Sequence, residues 1–110
     1  MDMCEERVLC ASSAYEEKYY FNEAFLGLPK GIQEELKILC VLFTEDVGGM
    51  LTLSFDEAGQ LNLKVDADEN DLLYDEIGSG LKIKQLQRDK AELFEALELY
   101  YRIFFLGESV

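Results

Sequence analysis

Apolar and polar positions repeat along this chain with two different periods. Ile32, Leu36, Leu39, Cys40, Phe43 and Val47 recur at helical spacing, with Gln33, Glu34, Lys37 and Glu45 largely on other faces. Pro29 suits the first position of such a helix, where a missing N–H costs nothing. Gly48-Gly49 stops it. Ile38, Val41 and Leu42 widen the apolar stripe, so this helix is expected to be covered on more than one side. The period then changes to two. Leu51, Leu53 and Phe55 alternate with Thr52 and Ser54; Leu61, Leu63 and Val65 alternate with Gln60, Asn62 and Lys64. Asp56-Glu57-Ala58-Gly59 between the runs is turn-forming, so the pattern predicts a hairpin with one apolar and one polar face. A lone hairpin is marginal in water. It needs helices on its apolar face and a third strand, for which Val8–Ala11 is the candidate.

The remaining segments are less regular. Ser13 with Glu16 has capping-box spacing, and Tyr15, Tyr19 and Asn22 would share a helical face, but an extended arm over residues 1–28 reads equally well. Asn70 or Asp71 can cap a short helix carrying Leu72, Leu73 and Ile77, which Gly78-Ser79-Gly80 would interrupt. From Leu81 to about Leu106 runs a long helical pattern. Leu86, Leu93, Leu97, Tyr100 and Phe104 mark its stripe, Phe94, Tyr101 and Phe105 broaden it, and Gly107 ends it. The expected fold is α+β: a small antiparallel sheet packed on one face by helices, in the order (β)-α-β-β-α-α with a long C-terminal helix.

Composition bounds the function. At 110 residues, 49% hydrophobic and 30% charged, the chain suits a single domain over 1–110. No histidine and no tryptophan are present, which removes histidine acid–base catalysis, catalytic triads and histidine metal sites. Twenty-three acidic residues against ten basic ones give a formal charge of −13. That charge opposes nucleic acid and anionic membrane and would steer a basic partner toward the chain. The longest apolar run, Ile38–Phe43, falls far short of the roughly 18 residues that span a bilayer. The N-terminus Met1-Asp2-Met3-Cys4-Glu5-Glu6 is acidic where a signal peptide is basic, so the expected compartment is the cytoplasm. Cys4, Cys10 and Cys40 form no CxxC pair and suggest neither a disulfide framework nor a zinc site; Cys40 reads as a small buried hydrophobe.

Few constellations could carry chemistry. Asp66-Ala67-Asp68-Glu69-Asn70-Asp71 opens like a calcium loop. Asp71 stands where that loop needs glycine, however, and Ile77 where it needs a bidentate glutamate, with Glu76 one residue out of register. Carboxylates at a helix start are the simpler reading. Gly78-Ser79-Gly80-Leu81-Lys82 resembles a phosphate cradle without matching a known spacing, and Asp75 and Glu76 before it would repel phosphate. A helix break or kink is the better account. Lys82, Lys84, Arg88 and Lys90 are expected to balance Glu92, Glu95 and the 66–76 acids. Ser12, Ser13, Ser54 and Ser79 have no histidine to activate them, and only Cys10, near Arg7, has a basic neighbour in sequence. Tyr100, Tyr101, Phe104 and Phe105 either complete the core or form an exposed patch that pairs two chains through the C-terminal helix. These four rings, with Asp66, Asp68, Glu69 and Asp71, are the candidate binding residues; no catalytic residue, metal ligand set or cofactor is implied.

The expected role is therefore a non-enzymatic protein–protein interaction or regulatory domain. An immunity- or inhibitor-type protein binding a basic target is one alternative. A carboxylate-based metal- or nucleotide-dependent enzyme, using Asp66–Glu76 with Gly78–Lys84, is another. Several stretches carry a family likeness: Lys18-Tyr19-Tyr20-Phe21-Asn22, Phe43-Thr44-Glu45-Asp46-Val47-Gly48-Gly49, Tyr74-Asp75-Glu76-Ile77-Gly78-Ser79, Leu81-Lys82-Ile83-Lys84-Gln85-Leu86 and Tyr100-Tyr101-Arg102. Through them nearly the whole chain resembles a family of small uncharacterised proteins from anaerobic Gram-positive gut bacteria, a domain of unknown function. The resemblance implies a bacterial cytosolic protein and brings no catalytic or binding residue with it.

Overall fold

In the computed structural model, which describes residues 6–108, the chain opens with strands β1 (Arg7–Ser13) and β2 (Lys18–Phe21) and continues into helix α1 (Lys30–Val47). Strands β3 (Met50–Phe55) and β4 (Leu61–Asp66) follow, then helices α2 (Glu76–Asp89) and α3 (Ala91–Phe104). The strands form one sheet in the order β2-β1-β3-β4, with every neighbouring pair antiparallel. This is the α+β architecture that the pattern predicts. The third strand lies where expected, with Ala11 opposite Thr52 and Ser12 opposite Leu51. Cys4 lies outside the described residues.

The fourth strand resolves the open choice at residues 15–21. Tyr19, Tyr20 and Phe21 are strand-favouring aromatics and pair with β1 instead of forming a helix. The Glu16 N–H does donate to Ser13 Oγ at 3.2 Å, but inside a hairpin turn where Glu17 takes φ 54°. Tyr19 and Phe21 pack on the core, while Tyr20 points to solvent.

The inward rows of the sheet follow from the register. Tyr19, Ser12, Leu51 and Val65 lie side by side, as do Phe21, Cys10, Leu53 and Leu63. A bulge between Val8 and Cys10 lets Leu9 and Cys10 both be buried. Helix α1 covers these rows with Leu36, Leu39, Cys40 and Phe43. Thr44 Oγ1 shares a buried hydrogen bond with Ser12 Oγ at 2.8 Å, so the one inward hydroxyl of β1 is satisfied from the helix. Helix α3 closes the other end, where Glu98 accepts the Leu61 N–H at 2.8 Å.

Three helical expectations are corrected. No helix begins at Asn70 or Asp71; Asp75 is the cap, accepting the Gly78 N–H at 3.0 Å. Gly78-Ser79-Gly80 lies within the first turns of α2 and does not interrupt a helix. Buried Ser79 explains why a small residue suits this point, because its hydroxyl meets Tyr74 Oη at 2.6 Å. The long C-terminal helix is two helices, broken at Lys90, which leaves helical geometry with φ −112° and ψ 25°. Gly48 and Gly49 do end α1, with φ of 80° and 75°. At Gly49 a Cβ would come within 2.7 Å of Asp66 O and 2.9 Å of the Tyr74 ring, so only glycine fits.

Candidate functional site

The C-terminal aromatics divide between core and surface. Tyr101 is buried and stacks on Phe55, with ring centroids 4.3 Å apart and planes within 7°. Phe105 stacks on Tyr101 at 5.0 Å and on Phe25 at 4.8 Å, with the Arg7 guanidinium 5.1 Å over its ring. Tyr100 is half-buried beside Phe25 and Phe104. Phe104 is 69% exposed. Three of the four rings therefore pack into the fold, and Phe104 alone of the four is exposed.

The acidic segment is an ordered loop. Asp66 ends β4 opposite Met50. Asp68 accepts the Asn70 N–H at 3.0 Å, and Asp71 accepts the Tyr15 hydroxyl at 2.7 Å. Tyr15 Oη in turn accepts the Asp68 N–H at 2.9 Å. That N–H contact pulls the phenol pKa down, but the hydrogen bond to Asp71, burial and the Asp71 and Asp68 charges raise it overall. Asp68, Glu69, Asp71, Asp75 and Glu76 surround a depression of about 420 Å³ beside Tyr74. Among the described residues, no group of three or more His, Cys, Asp or Glu side chains is placed to hold a metal ion. The Asp75 carboxylate already occupies the start of α2. Any phosphate at Gly78–Lys82 would have to displace it.

Sequence reasoning places the basic residues 82–90 against the wrong acids. Lys82 Nζ meets Asp46 at 2.8 Å and Lys90 Nζ meets Glu35 at 2.9 Å, both on α1. These pairs show that α1 and α2 run antiparallel, and they stand at the two ends of a groove of about 720 Å³ between the helices. Leu39, Phe43 and Leu86 lie in its floor, while Ile38 and Leu42, one turn apart on α1, are each 57% exposed. The expectation that α1 is covered on more than one side thus holds only in part, because α2 stands off far enough to leave this face open. Glu34, Glu35, Asp46 and Asp89 line the rim, against Lys82 and Lys90. Lining acids thus outnumber lining bases and the rim is net negative; with Asp46 and Glu35 on the lysines and Asp89 on Arg88 at 3.5 Å, Glu34 carries the least compensated charge. Ile38 and Leu42 are absent from the candidate binding residues read from sequence. Their signal was an apolar stripe too wide for one sheet to cover.

The chain belongs to DUF6145. The pattern of that family, described as a family of unknown function, matches residues 6–109. No curated protein and no solved structure matches the DUF6145 chain.

The core of this DUF6145 fold also holds a pair of thiols. Cys10 and Cys40 are both free and buried, with sulfurs 3.8 Å apart between β1 and α1. The hydrogen bond to Cys10, then burial, pushes the Cys40 thiol well above its ordinary pKa. Burial, with Cys10 and Cys40 alongside, raises the Tyr19 phenol too, and its hydroxyl has no hydrogen-bond partner. Cys40 and Tyr19 are thus held protonated at neutral pH, and burial shields both thiols from solvent, which makes Cys40 a poor nucleophile.

Proposed function

We propose that this chain is a protein-binding domain, acting without catalysis, whose α1–α2 groove takes the apolar face of a basic amphipathic helix. The observation that carries the reading is the pair Ile38 and Leu42, each 57% exposed on a helix face that the described residues leave open. A trough between two antiparallel helices suits a third helix laid along it, read by apolar anchors one turn apart. Burying the remaining surface of each anchor would be worth ~1 kcal/mol or more. The rim charge and the overall charge of −13 select basic flanks and disfavour a second copy of this chain in the groove. A basic target of this kind also accommodates an inhibitor- or immunity-type role. Free Cys10 and Cys40 fit a reducing compartment, so we place the protein in the cytoplasm, and the sequence resemblance supports a bacterial source.

The test is a methyl NMR titration with a Leu/Lys amphipathic peptide of about 18 residues, long enough to lie along the groove. A scrambled peptide of equal charge serves as control. Saturable shifts at the Ile38 and Leu42 methyls with the amphipathic peptide alone support the reading. Equal shifts with both peptides, or none at these methyls, refute it.

Self-association through the C-terminal helix is a second reading, favoured by Phe104 at 69% exposed. Tyr101 is not available to it without unfolding. Sedimentation equilibrium tests it: a dimer mass that reverts to monomer in Phe104→Ser supports it, and a monomer mass at all concentrations rejects it.

A further inference from the structure

Three large apolar side chains at the start of α2 and in the loop before it are largely exposed: Leu72 at 91%, Leu73 at 94% and Ile77 at 78%. A single exposed leucine is ordinary, but three such side chains within six residues are informative, and so is what holds the loop that carries two of them. Tyr15 pins the segment on one side, bridging the Asp68 N–H and the Asp71 carboxylate at 2.9 and 2.7 Å. Tyr74 pins it on the other, with its hydroxyl on Ser79 at 2.6 Å and its ring beside Gly49. Between these anchors the Leu72 N–H donates to Asn70 O and the Tyr74 N–H to Asp71 O. The two leucines therefore stand on a hydrogen-bonded loop with both tyrosines already committed beneath it.

The location connects this prong to the groove. Ile77, Leu81 and Gln85 follow one another at four-residue spacing along one face of α2, and Gln85 lines the groove. Leu81 is also exposed. The apolar row thus leads from the Lys82–Asp46 end of the groove out to the loop. Charge changes along the same direction. Residues 68–76 contain Asp68, Glu69, Asp71, Asp75 and Glu76 and no basic residue.

We infer that Leu72, Leu73 and Ile77 form a preset prong that grips the same basic amphipathic helix beyond the end of the groove, with the most lysine-rich end of that helix lying over residues 68–76. The inference rests on the groove reading and deepens it by fixing where the partner's charge sits. Because the loop is already ordered, gripping costs little further conformational entropy.

The experiment compares affinities of the intact chain and its variants for two Leu/Lys peptides of about 18 residues. One has lysines concentrated at an end and the other has them spread evenly. The double variant Leu72→Ser with Leu73→Ser should fold like the parent, checked by circular dichroism, and bind the end-loaded peptide about tenfold more weakly, equivalent to ~1.4 kcal/mol. The parent should prefer the end-loaded peptide, and Tyr15→Phe, which keeps both leucines, should lose part of that preference. Leu42→Glu reports on the groove separately. If Leu42→Glu abolishes binding while the double variant binds as the parent does, the prong is overturned and the groove reading stands. If the double variant weakens binding while Leu42→Glu does not, the groove reading falls and the prong alone is the contact. If the parent shows no preference between the peptides, the placement of the charged end is overturned.

Discussion

Tyr101 contributes chiefly through stacking. Its ring lies between Phe55 and Phe105, at 4.3 and 5.0 Å, in the part of the core that joins α3 to the sheet. Truncation to alanine should therefore cost ~3–5 kcal/mol, read by urea denaturation, whereas Phe104→Ala should cost well under 1 kcal/mol. Cys40 and Tyr19 make an opposite kind of contribution, tied to pH. Both are held protonated in the fold, so the folded state retains protons that the unfolded chain releases once pH passes the ordinary thiol value of 9.0. Stability from these groups is complete below that pH and falls as pH rises above it. Cys40→Ala should flatten this alkaline decline while lowering stability at neutral pH. Asp56 acts at the acid end. Hydrogen bonds from the Gln60 and Ala58 N–H groups lower its pKa, so its contribution is present above about pH 4 and disappears as pH falls through the folded value. Asp56→Asn should lose that acid dependence in a stability–pH profile. At this scale sequence was a partial guide. Burial of Cys40 follows from its place in an apolar run, but nothing local separates buried Tyr101 from exposed Phe104 three positions later, because that depends on which side of α3 meets Phe55.

Among the elements, α1 and the β3–β4 hairpin were legible because their apolar residues recur at a clear helical or strand period. Residues 66–80 were not, since Leu72, Leu73 and Ile77 suggest a buried stripe and yet face water. The true start of α2 is signalled by Asp75, whose carboxylate caps Gly78, a weaker cue than the glycine pair that seemed to break the helix. Asp75→Ala should cost ~1 kcal/mol in a denaturant titration. The break at Lys90 was hidden by an unbroken run of helix-forming residues. At that point Lys90 leaves helical geometry and its ammonium meets Glu35 of α1. The Lys82–Asp46 and Lys90–Glu35 pairs are about half exposed, so removing either lysine should change stability by no more than ~1 kcal/mol.

For the whole molecule, a charge of −13 and a missing imidazole were readable from composition, and the proposed binding role starts from them. The groove was not, because its openness depends on the spacing between α1 and α2, which no single segment encodes. Binding there should be salt-sensitive, since acidic rim and basic partner attract across solvent, and should weaken as ionic strength rises. The most direct measurement is a calorimetric titration of the full chain with the Leu/Lys peptide at several temperatures. The groove account predicts a saturable heat with a clearly negative heat-capacity change that disappears in Leu42→Glu. A heat with no heat-capacity change, or one that Leu42→Glu leaves intact, would contradict it.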